Sequence, residues 1–299
     1  MNRRALALWL YSSVAYAAPP IVASGAKPVT IVAVAGPPAS AVLVGKSGET
    51  YEPDGKGAWI RHADGGIAGE VVAATREGDV VIAGVANEPP FERLHTGWSV
   101  MTLGLHASAL LGRGSRATAA VGRSIFALER GKATKLAEAP APVVALAASP
   151  NQLVVETERG LARWNAGKWQ PLAKAPHHVA MLLDPRWAVV ERGVIELDTG
   201  KLIGWPLGFH VQVAIAAGDA VIAASARELV TIKASSVAHE PLPALASPVA
   251  GLAADRSGRV VLATRGGQVA ERTNGAWTVT EARDEPPATH DGPPPAESK

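Results

Sequence analysis

Residues 143–172 read VVALAASPNQLVVETERGLARWNAGKWQPL. Three turn-forming clusters cut this stretch into four short pieces: Ser149-Pro150-Asn151, Glu158-Arg159-Gly160 and Ala166-Gly167-Lys168. Proline presets φ, glycine takes positive φ without steric cost, and asparagine tolerates the left-handed region, so each cluster can reverse the chain. The pieces between them, 143–148, 152–157, 161–165 and 169–172, are rich in Val, Ala and Leu and too short for helices. The stretch predicts a meander of four short antiparallel strands.

The same unit recurs along the chain. Gly167-Lys168-Trp169 has counterparts at Gly275-Ala276-Trp277 and Gly57-Ala58-Trp59, and shortened ones at Gly97-Trp98 and Gly204-Trp205. Trp205 follows Trp169 by 36 residues, and Trp277 follows Trp205 by twice that. Apolar openings begin at Ile31, Val71, Ala107, Val143, Val179, Val213 and Val249, at intervals of 40, 36, 36, 36, 34 and 36. Seven units of this size and turn chemistry predict an all-β chain, a seven-bladed β-propeller of four-stranded antiparallel blades over residues 30–280. A helical solenoid of this period would need 3.6-residue apolar periodicity over 10 to 15 residues per unit, which the short runs and frequent Gly and Pro do not supply. Each first strand is rich in Ala and Val, as expected where strands converge on an axis. The repeated Trp falls on the fourth, outermost strand, where a large ring can fill the wedge between diverging blades.

The seventh unit carries Asp255-Arg256-Ser257-Gly258 followed by Thr264-Arg265-Gly266-Gly267. This resembles the D-x-x-G…T-x-x-G pattern of two-component-regulator-type repeats in the WD/YVTN-like propeller superfamily. The fourth unit has the second half, Thr157-Glu158-Arg159-Gly160, with Asn151 where the leading Asp would stand. The resemblance implies a propeller and agrees with an exported location, but it implies no activity.

Both ends read as something other than fold. Arg3 and Arg4, an apolar run over residues 5–10 and Ala15-Tyr16-Ala17 form a secretory signal peptide, residues 1–17, with cleavage after Ala17. Residues 18–29 lead into the propeller. Residues 281–299, EARDEPPATHDGPPPAESK, read as a disordered, Pro-rich acidic tail. The mature chain is expected to be exported, periplasmic or extracellular, with no integral membrane segment. The 29 Lys+Arg against 27 Asp+Glu give no electrostatic footprint for nucleic acid. Without the signal the charge is zero, an acidic tail offsetting 25 basic and 22 acidic residues over 18–280. The absence of Cys excludes disulfides, thiolate metal sites and Cys nucleophiles.

Two residue sets could carry function. Glu70, His106, His178 and His210 fall at related positions just before first strands and could ring the channel mouth; imidazole and carboxylate suit Zn²⁺ or Fe²⁺. His177, one residue out of register, is expected to point elsewhere. Arg76, Arg113, Arg116, Arg186, Arg256 and Arg259 fall in the first-hairpin turns on the opposite face, with Glu77, Asp79, Asp184, Asp219 and Asp255 among them. They could bind an anion or partner through bidentate contacts, while the interleaved acids favour internal pairing. Asp184 and Asp255 read as turn caps. With no nucleophile elbow, phosphate loop, HExxH or EF-hand pattern, the expectation is a non-catalytic scaffold without a cofactor, binding a protein partner or small ligand through one loop face. The alternative is a metal-assisted lyase or hydrolase at the channel mouth.

Overall fold

The structure is a computed structural model that describes residues 29–55, 57–62, 66–94, 97–101, 109–233 and 236–283. The expected signal peptide, all of the lead-in but Val29, and the tail beyond Arg283 lie outside these residues. The described chain is all-β, its one helical element being a short 3₁₀ turn at Pro38–Ser40. None of its helices is long and apolar enough to cross a membrane.

The fold is a β-propeller. Each repeat supplies an antiparallel meander of four strands, running outward from the axis. In the fourth repeat these are Val143–Ala148, Leu153–Thr157, Gly160–Asn165 and Lys168–Pro171, within a residue or two of the reading above. The count of separate blades differs from seven. Five repeats, the second to the sixth, stand as separate blades, and the first and last merge into one eight-stranded sheet. The cause is the outer strand Ala276–Arg283, which runs three residues past the expected end of the propeller. There it pairs in parallel with Trp59–Arg61, through Ala282 opposite Trp59 and Arg283 opposite Ile60. A two-residue strand, Arg113–Gly114, also leaves the third repeat to pair with Ala147 and Ala148 of the fourth.

Apolar burial closes the ring. Seven clusters of buried side chains lie between consecutive repeats. Between the third and fourth, Ala120, Ile125 and Ala137 meet Leu146, Leu153 and Val155. Between the last and first, Ala253, Val261, Ala263 and Val269 meet Ile31, Leu43, Tyr51 and Trp59. Small inner-strand residues let the strands converge, as the Ala-rich openings imply.

The repeated Trp fills the outer wedge and bonds backward round the ring. Trp98 Nε1 donates to the Gly48 carbonyl of the first repeat at 2.7 Å, and Trp169 Nε1 to the Glu138 carbonyl of the third at 2.7 Å. Trp277 Nε1 reaches Glu240 of the sixth repeat at 2.6 Å. Trp59 completes the circle with Glu271 of the last repeat at 2.8 Å. Trp205 departs from this pattern. Its Nε1 is buried without a partner among the described residues, and its ring packs 5.3 Å from Phe209. Ion pairs add further cross-repeat links, Arg93 to Glu52, Arg163 to Asp198 and Arg272 to Glu240.

Candidate functional site

The inter-repeat loops and the middle turns, between second and third strands, share one face. Backbone bonds place them together: Val71 N donates to Lys46 O at 2.9 Å, Val143 N to Gly122 O at 2.8 Å and Ile31 N to Arg265 O at 3.1 Å. In each case a middle turn of one repeat holds the start of the next inner strand.

Two features shape this face. First, pairing between inner and second strands slips at Ile31/Ala33, Val71/Ala73, Val143/Ala145 and Val249/Gly251. The extra residue in these β-bulges is Val32, Val72, Val144 or Ala250, and a bulge bends its strand and re-aims a side chain. Val72 and Val144 are 59% and 58% exposed, high values for apolar residues on inner strands. Second, six of the seven middle turns carry an exposed cation: Lys46, Arg123, Arg159, Arg192, Arg227 and Arg265. Lys46 pairs with Glu70 at 3.3 Å, and Arg123 Nε donates to the Ala139 carbonyl at 2.8 Å. The side chains of Arg159, Arg192, Arg227 and Arg265 make no ion pair or hydrogen bond among the described residues. Glu158, Glu191 and Glu228 adjoin three of them, so the rim is mixed in charge.

The sequence-predicted metal set is distributed as follows. Glu70 is bound to Lys46, His210 is exposed, and His106 lies outside the described residues. His178 Nδ1 is 2.8 Å from Oε1 of the buried Glu156. His177 does not point elsewhere: its Nδ1 is 2.9 Å from His178 Nε2. Among the described residues no three His, Asp or Glu side chains are grouped to hold an ion, Glu70, His178 and His210 included.

The arginines of the first-hairpin turns lie on the opposite face, and several work internally. Arg76 reaches the Ser40 carbonyl of the first repeat, with its Nε 2.9 Å from Gly78 O. Arg186 binds Glu196 at 2.7 Å and stacks over Trp187. Arg256 covers the Gly218 turn, its Nε 2.5 Å from where a Cβ on Gly218 would sit. Arg116 N donates to Ala148 O at 3.3 Å, Arg113 lies in the short strand paired with the fourth repeat, and Arg259 N bonds Asp255 at 3.1 Å. The face also has an open hollow of about 170 Å³ between the third and fourth repeats, lined by Arg116, Leu136, Asn151, Gln152 and Trp164 among others.

The two aspartates cap their turns. Asp255 accepts the Ser257 hydroxyl at 2.6 Å and the backbone of Ser257 and Arg259, and these bonds, the hydroxyl foremost, lower its pKa. Half-buried Asp184 accepts the backbone N–H of Arg186 at 2.9 Å and of Trp187 at 2.7 Å. Burial nevertheless pushes its carboxyl up, outweighing those N–H groups and the Arg186 charge. A carboxyl raised in the fold holds its proton more tightly there than in the unfolded chain. Its ionisation therefore subtracts stability as pH rises through the ordinary Asp value towards the folded one. Asp184→Asn keeps the acceptor and loses the charge. Its thermal midpoint should match or exceed the parent's at pH 7, with any advantage fading as pH falls below the usual Asp range. A pH series of melting curves checks this, and a penalty larger at pH 7 than at pH 3 would contradict it.

No protein-family model matches the chain, and no curated protein does. Solved structures do match. The WD40 β-propeller domain of Doa1 aligns with a TM-score of 0.61 at 10% identity, covering 84% of this chain and 94% of that one. PorZ, a bacterial surface component of the type-IX secretion system of Porphyromonas gingivalis, aligns at 0.57 and 12%, covering 90% of this chain and 40% of that one. The extracellular domain of a putative hybrid two-component system from B. thetaiotaomicron aligns at 0.54 and 12%, covering 85% and 46%. The likeness is one of fold. At these identities it extends no further, and the chain spans less than half the length of the latter two.

Sequence reading missed the bulges and the middle-turn cations. The cations were within reach: Arg123, Arg159, Arg192, Arg227 and Arg265 recur at near-repeat spacing. Nothing in the residue pattern marks the bulges, each of which lies at the start of an inner strand.

Proposed function

We propose that this chain is an exported, non-catalytic scaffold that docks a protein partner on the face of the inter-repeat loops and middle turns. The observation that supports this most is the set of four exposed arginines, Arg159, Arg192, Arg227 and Arg265, whose side chains have no ion pair or hydrogen bond among the described residues, on the face that also exposes Val72 and Val144. A protein docking site combines an apolar centre with a polar, charged rim, and Arg is enriched there. Interleaved glutamates favour a partner of mixed charge over a polyanion. Export rests on the signal pattern of residues 1–17.

Charge reversal tests the reading. In cross-linked surface fractions of source cells, wild-type protein should capture a defined partner. The triple variant Arg159→Glu, Arg192→Glu, Arg227→Glu should lose it at least tenfold, and Asn151→Arg with Asp219→Lys on the opposite face should retain it. Capture unchanged by the triple variant would overturn the assignment.

The hollow beside Arg116 supports a second reading, in which the first-hairpin face, with Arg113, Arg116 and Arg259, takes the ligand. Loss of capture in the Asn151/Asp219 variant alone would favour it.

A further inference from the structure

We propose that His177 and His178 form a divalent transition-metal site, with Glu156 as its positioning residue; this goes beyond the docking of a partner and does not depend on it.

The argument starts from an anomaly in the repeat. Glu156 lies on the second strand of the fourth repeat. Strand pairing aligns it with Val44, Gly84, Ala120, Val189, Ala224 and Ala263, so only one repeat places a charged group there. The aligned side chains pack towards the following repeat, as Ala120, Val189 and Ala263 do. A carboxylate at 5% exposure loses hydration that a hydrogen bond must offset. Among the described residues, the side chain it bonds is His178.

That bond sets the chemistry of the imidazole. With Nδ1–H donated to Glu156, the lone pair of His178 sits on Nε2. It faces Nδ1 of His177 at 2.9 Å, with the rings 4.4 Å apart and inclined at 70°. In this state His177 donates Nδ1–H. Shifting that proton to its own Nε2 leaves both imidazoles neutral, with two lone pairs facing each other across the gap. Metal–nitrogen bonds of about 2.0–2.1 Å in tetrahedral geometry require nitrogens roughly 3.3 Å apart, so the pair must open by a few tenths of an ångström and each ring must tilt by roughly 35° to aim its lone pair at the ion. Glu156 would then be the outer carboxylate that commonly fixes the tautomer and basicity of a ligating histidine.

The surroundings permit that movement. Both imidazoles belong to exposed residues, and His177 packs on Gly160, where an added Cβ would lie 3.5 Å from its Nε2. No third His, Asp or Glu completes the set among the described residues, so the remaining positions would go to water or a ligand oxygen. Two neutral imidazoles select Zn²⁺, Ni²⁺ or Cu²⁺ over Mg²⁺ or Ca²⁺.

Calorimetric titration of the untagged mature protein with Zn²⁺ tests the site, with melting curves confirming that each variant is folded. One ion per chain is expected, lost in His178→Ala and weakened at least tenfold in His177→Ala. Glu156→Gln should weaken it about 10- to 100-fold, and His210→Ala should leave it unchanged. Should Glu156→Gln not fold, paramagnetic broadening of the His177 and His178 imidazole signals by substoichiometric Cu²⁺ decides instead, with both expected to broaden first. Three results would overturn the proposal: no saturable binding, affinity unchanged in folded Glu156→Gln, or broadening spread evenly over all histidines.

Discussion

Trp59→Ala should lower the thermal midpoint by roughly 10 °C, the effect of losing about 3–5 kcal/mol. Trp59 is 1% exposed and sits in the cluster that joins the last repeat to the first. Its outer strand is also the one that Ala276–Arg283 pairs with in parallel. Truncation removes three things at once: the buried ring, the Nε1 bond to Glu271, and the packing that holds the parallel pair in register. Half-buried Trp98 also bonds the preceding repeat, at a junction with no strand pair between repeats among the described residues, so Trp98→Ala should cost clearly less. Equal losses at both sites, measured by thermal or urea unfolding, would show that the closing junction is no different from the others.

Gly251→Val should be comparably damaging, for a different reason. Gly251 lies on the inner strand Val249–Ala254, beside its bulge. A Cβ added there would fall 2.5 Å from Val34 N and 2.6 Å from its Cγ2, across the closing junction. Backbone cannot yield as a flexible side chain can, so the inner strands of the last and first repeats would have to separate. Overpacking of this kind costs about 1–3 kcal/mol, and more when backbone must move. Amide exchange of Ile31–Ala35 should accelerate with the loss of stability. Gly204→Ala is the control, since its Cβ would find nothing nearer than Arg192 O at 3.7 Å. If Gly251→Val melts like the parent, close approach at this junction is not needed for closure.

Much of the architecture was legible because it rests on local chemistry repeated many times. Turn clusters such as Glu158-Arg159-Gly160 and the Gly-x-Trp register mark where strands begin and end, and repetition averages out single departures. The Trp wedge followed from where the outer strands diverge, and the four indole bonds to the preceding repeat, which Trp205 lacks, are an addition the sequence did not announce. What escaped was the manner of closure. Glu281, Ala282 and Arg283 look like the start of a polar tail, yet Ala282 is buried and its N–H bonds Gly267 O at 2.8 Å. The pull comes from residues more than two hundred positions earlier, which no local pattern records. The candidate site was less legible still. His178 was placed correctly before an inner strand, but its partner Glu156 sits inside a Val-rich run, where a carboxylate gives no local sign of facing the next repeat. Among the first-hairpin arginines the interleaved acids favoured internal pairing over binding, and Arg76 and Arg186 spend their guanidinium groups within the fold.

The most direct test of partner docking is arginine-specific chemical labelling of the protein with and without its captured partner, read by mass spectrometry. The account predicts that Arg159, Arg192, Arg227 and Arg265 react in the free protein and are protected in the complex, while Arg113, Arg116 and Arg259 keep their reactivity. Protection of Arg113, Arg116 and Arg259 with the four middle-turn arginines still reactive would contradict it and place the partner on the opposite face.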